Sequence, residues 1–398
     1  MVAVALAAAL ALSAAAGRFP LWLRSAPGPS ASPAAGDSPS PRTTPSPRAP
    51  ATPQPPALPA LSPQQMAGQR VIYSYGGLKP PAGLLRLIRH GEVGGVIFFG
   101  QNVSSPAQIA SVIAELNRAD ASPLNPVRAP LLLMTDQEGG LVRRVPGAPL
   151  LSEREIGEAA DPAAEAANAG TGAGLNLRGL GINVNLAPVL DVYRQPDDFD
   201  DQYQRSYSMN PAVVAELGAG FIKAQQGAGV AATAKHFPGL GAAAQQQDTD
   251  LRPVTLNVPL AAIRNTDELP YRAAIVAGVR LVMVSWAVYP ALDPGRPAGL
   301  SPAIVGGELR RRLGFQGVTI TDALEAGALR AYGTFGNRGL LAVEAGMDLI
   351  LCSQQGVSEG EQAAAGLADG YRDGQLPTPA FLAALQRVLA LRASLRPS

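Results

Sequence analysis

Lys235 and His236 stand side by side in Ala234-Lys235-His236-Phe237-Pro238-Gly239, within a chain of 398 residues that holds only three lysines and two histidines. An apolar run, Val230 to Ala234, leads into the pair, and a Pro-Gly turn follows it. An ammonium and an imidazole at a strand end can grip hydroxyls, and a desolvated lysine there can instead form a Schiff base with a carbonyl. Two carboxylates occupy comparable places. Asp136 opens Asp136-Gln137-Glu138-Gly139-Gly140, where the glycines permit a turn with positive φ and close approach of a ligand. Such an Asp can accept hydrogen bonds from two neighbouring hydroxyls, or it can cap backbone N–H groups. Asp322 closes Thr319-Ile320-Thr321-Asp322. A carboxylate leaving a buried strand can attack an electrophilic carbon and form a covalent intermediate, or it can N-cap the next helix.

Residues so placed need a frame. Eight short apolar runs read as strands: Val71–Tyr75, Gly95–Phe99, Leu131–Thr135, Ile182–Ala187, Val230–Ala234, Leu281–Ser285, Val318–Thr321 and Leu349–Cys352. Helical patterns lie between them. Asn210-Pro211 supplies an N-cap and an N1 proline, and Val214, Leu217 and Phe221 follow on one face. Ser301-Pro302 starts another helix that runs to Arg312. The alternation is that of an α/β fold, and eight parallel strands in this length fit a (β/α)8 TIM barrel, with its active site at the strands' C-terminal ends. A doubly wound sheet is the alternative, but the Gly-rich phosphate fingerprint it often carries is absent. The barrel predicts polar residues just past the strands. Asp136, Asp191, Lys235-His236, Ser285-Trp286 and Asp322 follow the third to seventh runs in turn.

Composition narrows the function further. A net charge of +1, with arginines scattered rather than clustered, argues against nucleic acid as a partner. The single Cys352 rules out an internal disulfide, and one cysteine with two distant histidines makes no zinc framework. Neither a metal nor any other cofactor is expected. Residues 1–24 begin with an almost pure Ala/Val/Leu run and read as a signal peptide or N-terminal membrane anchor, the only membrane association expected. Residues 25–60, rich in Pro, Ala, Ser and Thr, cannot bury enough apolar surface to fold and read as a disordered tether. The barrel is expected over 61–398, in a protein exported to the cell envelope or beyond.

As a set, these motifs resemble the catalytic barrel of family 3 glycoside hydrolases, in particular the single-domain β-N-acetylglucosaminidases. The resemblance spans Leu61 to Leu395. It adds Gly94–Gly100, Asn185-Leu186-Ala187-Pro188-Val189-Leu190-Asp191, Met283-Val284-Ser285 and Gly314–Asp322 to the motifs above. It implies a carbohydrate substrate and a nucleophile at Asp322. Sugar contacts fall on Asp136, on Arg144 eight residues on, on Arg205 in Gln204-Arg205-Ser206-Tyr207, and on Lys235 and His236.

One group departs from the family's pattern. A retaining glycosidase needs a second residue that protonates the leaving oxygen and later activates water. Many two-domain members take a Glu from a second domain, for which the stretch after the eighth strand is too short. The N-acetylglucosaminidase type uses a His in an Asp-Ser/Thr-His triplet, and here the triplet reads Asp248-Thr249-Asp250. His236 is already at the sugar-binding position, and His90 precedes the second strand, on the barrel's other face. Either Asp250, by aligning the triplet, or Asp248, by counting without a gap from His236, is then the acid/base, its pKa raised by burial. Otherwise the chain has lost hydrolysis and is a tethered protein that binds cell-wall glycan. With activity retained, the expected reaction is removal of terminal β-linked N-acetylglucosamine from cell-wall fragments, in peptidoglycan turnover.

Overall fold

A computed structural model describes residues 59–395. The leader and all but the last two residues of the tether lie outside the described residues, as do 396–398. Eight parallel strands close into a barrel: β1 Val71–Tyr73, β2 Gly95–Phe98, β3 Leu132–Thr135, β4 Val184–Asn185, β5 Ala231–Phe237, β6 Leu281–Val284, β7 Val318–Ala323 and β8 Leu349–Leu351. Spatial order follows chain order, and β8 pairs back onto β1. The doubly wound alternative is thereby excluded.

The strands read as continuous apolar runs because both of their faces are buried. Leu132 and Met134 of β3, Leu281 and Met283 of β6, and Leu349 and Leu351 of β8 fill the barrel's interior with Ile97, Val318 and Ile320. The alternate residues, such as Leu133, Val282, Val284 and Ile350, pack outward with the helix layer. Truncating one of these interior leucines to Ala would cost about 2–5 kcal/mol in transfer and cavity terms.

Each strand differs from its expected bounds by a residue or more, and two of the differences shape the site. β4 is confined to Val184–Asn185, although Leu186 N–H still donates to Thr135 O at 2.9 Å; Pro188, with no N–H, soon breaks the ladder. β5 runs on past Ala234 and takes Lys235 and His236 into the sheet rather than leaving them beyond it. Partners on both sides explain the extension. Leu190 N–H donates to Lys235 O at 2.7 Å, and Ser285 N–H donates to Phe237 O at 2.9 Å.

The helix expected after Asn210 spans Pro211–Gly227, with the Asn210 side chain accepting from Ala212 N–H at 3.0 Å and Val214, Leu217 and Phe221 buried. The helix after Ser301-Pro302 spans Ala303–Arg312 and is wound with i→i+5 bonds, such as Leu313 N–H to Glu308 O at 2.9 Å. Among the described residues, no helix is long and apolar enough to cross a membrane.

Candidate active site

Period-two alternation carries the interior faces upward from apolar to charged. On β3 the series Leu132, Met134 continues to Asp136 and Glu138; on β7 Val318, Ile320 continues to Asp322. Ile97, Leu186, Met283 and Leu351 floor a cavity of about 600 Å³ at the C-terminal strand ends. All eight residues singled out in the sequence line it: Asp136, Arg144, Arg205, Lys235, His236, Asp248, Asp250 and Asp322.

Lys235 is 2% exposed, a burial that an unpaired ammonium could not sustain. Two carboxylates pair with it, Asp136 Oδ1 and Glu138 Oε1, each at 2.7 Å from Nζ. Glu138 is gripped from its other side by Arg205, whose Nε and Nη2 donate to its two oxygens at 2.8 and 3.0 Å. Burial alone would raise the Glu138 pKa, but Arg205 and Lys235 outweigh it and hold the carboxyl down at about 2. Burial works against Lys235 too, and Asp136 and Glu138 reverse it, so the ammonium pKa is raised. A Schiff-base lysine needs the opposite shift. The carbonyl-condensation alternative therefore loses its chemical basis.

The Lys235–His236 peptide is cis, and both side chains line the cavity. His236 points Nδ1 at Asp191 Oδ2, 2.7 Å away, and Nε2 at Arg205 Nη2, 3.4 Å away. Burial first and the Arg205 charge second push its pKa down to about 4. The ring is neutral at physiological pH: it donates from Nδ1 to Asp191 and presents Nε2 as an acceptor to Arg205. Asp191 also accepts Leu240 N–H at 2.5 Å and thereby fixes the turn after β5. Burial raises Asp191 to about 6, and burial with the Asp191 charge raises Asp200 to about 7. Asp191, Asp200 and His236 offer ligand atoms within 4.8 Å of one another, the arrangement among the described residues that could hold a cation. Arg205, 3.3 Å from Asp200 Oδ1, already supplies positive charge there.

Arg144 reaches the cavity from the hairpin Gln137–Gly139/Val142–Arg143. That hairpin turns where the sequence placed its glycines, with φ of 120° at Gly139 and 51° at Gly140. A Cβ at Gly139 would lie 2.0 Å from Leu151 O, so only glycine fits. The buried Nε of Arg144 has no protein acceptor.

The opposite wall is acidic. Asp322 Oδ1 accepts Ala323 N–H at 2.8 Å. Asp248 Oδ1 accepts Asp250 N–H at 2.8 Å and shapes the loop between β5 and β6. That loop is pinned to the segment after β7: Ala328 N–H donates to Thr249 O at 3.0 Å and Gly327 N–H to Asp250 O at 2.7 Å. The approach needs a glycine, since a Cβ at Gly327 would sit 2.2 Å from Leu251 O. Solvent reaches Asp250 through the cavity mouth, yet protein encloses it closely enough to shift its pKa. Burial, then the charges of Asp322, Asp248 and Glu325, raise it to about 7. Asp250 therefore carries its proton to near neutrality without a bound ligand.

The strand-end rule fails at β6. Trp286 is fully buried, and its Nε1 donates to Ala323 O at 2.8 Å; Ser285 Oγ meets Tyr289 OH at 3.1 Å. Neither lines the cavity; Trp286 instead braces the backbone beside Asp322. Glu138 had no role assigned from the sequence, though alternation from Met134 would have turned it inward. Asp200 lies in an acid-rich loop where no spacing marks it. Glu325, three residues beyond Asp322, also lines the cavity unannounced. His90 ends the helix Ala82–Arg89, and its carbonyl accepts from Gln65, away from the cavity as expected.

The signature of the glycosyl hydrolase family 3 N-terminal domain matches residues 65–391. A secreted glycosyl hydrolase of Arthroderma benhamiae is 45% identical over 331 residues, 83% of this chain and 93% of its own. A family 3 β-N-acetylglucosaminidase from Paenibacillus sp. superposes with a TM-score of 0.79 at 36% identity, over 85% of this chain and 64% of that one. A β-N-acetylhexosaminidase from Beutenbergia cavernae gives 0.76 at 32% identity, over 84% of this chain and 99% of that one. The match thus spans less than two thirds of the Paenibacillus chain and nearly all of the Beutenbergia chain.

Proposed function

The chain belongs to glycosyl hydrolase family 3 and is a glycosidase, and from that premise we propose that it removes terminal β-linked N-acetylglucosamine with retention, using Asp322 as nucleophile and Asp250 as acid/base. The observation that carries this reading is the cluster of Asp250 and Asp322 with Asp248 and Glu325 in one cavity, where its neighbours' charges help raise the Asp250 pKa to about 7. In the first step Asp322 bonds to the anomeric carbon while the proton of Asp250 passes to the departing oxygen. In the second, Asp250 takes a proton from water, and that water's oxygen displaces Asp322. Asp248 fixes the backbone of Asp250 rather than acting on substrate. Asp136, Arg144, Arg205, Lys235 and His236 supply the sugar contacts. The ion pairs among them orient the donors before substrate arrives, which lowers the cost of binding.

The named activities of the Paenibacillus and Beutenbergia proteins support N-acetylglucosamine as the sugar. The secreted Arthroderma relative supports export. With residues 1–60 read as a leader and tether, these support a cell-wall glycan fragment as the substrate. The deciding assay incubates the protein with an aryl N-acetyl-β-glucosaminide. Turnover is expected, with a fall of at least about three orders of magnitude in Asp322→Asn. Binding without turnover in the wild type would leave a glycan-binding protein instead, and turnover unchanged in Asp322→Asn would overturn the nucleophile.

A further inference from the structure

Glu325 lines the cavity with Asp250 and Asp322 and is itself fixed. Ser353, just past β8, donates from Oγ to Glu325 Oε1 at 2.8 Å and from its backbone N–H to Oε2 at 3.3 Å. Behind it lies Glu359, fully buried near the start of the helix Val357–Arg372. Its Oε2 accepts Gln354 N–H at 2.9 Å, while Oε1 meets no donor. An acceptor facing another carboxylate forms a bond only if a proton lies between them. Glu359 holds that proton: burial first, then the Glu325 charge, push it up to about 9.

We propose that Glu325, anchored on Ser353 in the cavity it shares with Asp250 and Asp322, is a positioning residue whose fixed carboxylate favours the acid form of Asp250 until substrate arrives. The inference rests on Asp250 as acid/base. The groups facing Glu325 are Asp250 from the loop after β5, Cys352 at the end of β8, Glu359 behind, and Arg338 from the helix Phe335–Ala345. Arg338 is the cation of the set, but Nε and Nη1 donate to the carbonyls of Gly333 and Leu324. Asp250 is faced by the like charges of Asp322, Asp248 and Glu325, and by Arg205 with the opposite sign. Asp322 and Asp248 have tasks of their own in the reaction and in the loop. Glu325 is bonded to neither substrate-gripping group, which leaves its charge free to act across the cavity.

The test is the pH profile of kcat/KM on an alkyl N-acetyl-β-glucosaminide, whose poor leaving group needs the acid. Removing a like charge lets Asp250 ionise earlier, so in Glu325→Gln the basic limb moves to lower pH by about one unit. KM at low pH stays near its wild-type value, and the melting temperature reports that the variant is folded. Ser353→Ala moves the limb the same way by less. A limb that stays in place in a folded Glu325→Gln overturns the proposal. So does Glu359→Gln moving it as far, because the acting charge would then be on Glu359. Asp250→Ala separates the two readings: if it keeps both turnover and the limb, Asp250 is not the acid. If it loses turnover while Glu325→Gln leaves the limb unmoved, Asp250 stands and the role of Glu325 falls.

Discussion

Around Lys235 the cavity holds two carboxylates and two cations, Asp136 and Glu138 with Lys235 and Arg205, in ion pairs of 2.7–2.8 Å. Around Asp250 it holds four carboxylates, Asp248, Asp250, Asp322 and Glu325, none of which makes an ion pair among the described residues. Burial by itself pushes a carboxyl's pKa up, and it acts in that direction on both Glu138 and Asp250. The neighbours decide the outcome: Glu138 ends at about 2 and Asp250 at about 7. One wall is locked in charge and suits recognition of hydroxyls. The other can hold and release a proton at neutral pH, as acid/base work demands.

Replacing each wall's key carboxylate should give opposite signatures. Asp250→Ala is expected to lower kcat/KM on alkyl glycosides by about 10²–10⁴-fold. Aryl glycosides with acidic leaving groups, which depart unaided, should lose much less, and azide should restore turnover. A uniform loss across leaving groups would show that this wall does not supply the proton. Glu138→Gln, by contrast, leaves Lys235 and Arg205 buried with too few counter-charges, at a cost of about 3–5 kcal/mol. A thermal melt should read this as a drop of roughly five degrees. Sign follows from the direction of the shift. The Glu138 pKa is depressed on folding, so its contribution is complete above the unfolded carboxyl value and is lost as pH falls through about 2. Equal melting of the two variants would erase the distinction between the walls.

The parts legible in the sequence were those set by period and by strand ends. Both faces of a barrel strand are buried, so its residues stand out as a block, and all eight strands overlap their apolar runs. Asp136 and Asp322 extend interior faces, which is why their positions past Thr135 and Thr321 were telling. What a residue does to another side chain was not legible. Asp191 stood out only as a polar strand end, not as a partner reaching across to His236, and the pKa values of Asp200 and Glu359 are raised by what packs on them. Neither relation leaves a spacing in the chain. Ser285-Trp286 shows the converse, a polar strand end whose hydrogen bonds are satisfied inside the scaffold. Neutral His236 shows another: the sequence paired it with Lys235, but burial and Arg205 separate their charges.

The smallest effect should have a sign that looks wrong for a functional site: Asp250→Asn should stabilise the protein. The folded pKa of Asp250 is raised, so as pH climbs from the unfolded value of 3.8 towards 7 the unfolded chain gives up this proton first, and the native state loses ground. Above that window the charge meets Asp322, Asp248 and Glu325 in full. Removing it relieves the repulsion, but solvent at the cavity mouth screens much of the gain, leaving less than about 1 kcal/mol. At pH 8 the Asn variant should melt about one degree higher than the wild type, and the difference should vanish near pH 4. A lower melting point at pH 8 would mean that Asp250 is held by favourable contacts, as Glu138 is. It would also deprive the acid of the neighbours that keep its proton. The expected gain would instead fit the proposed role of Asp250, stability given up for a proton held ready for the leaving oxygen.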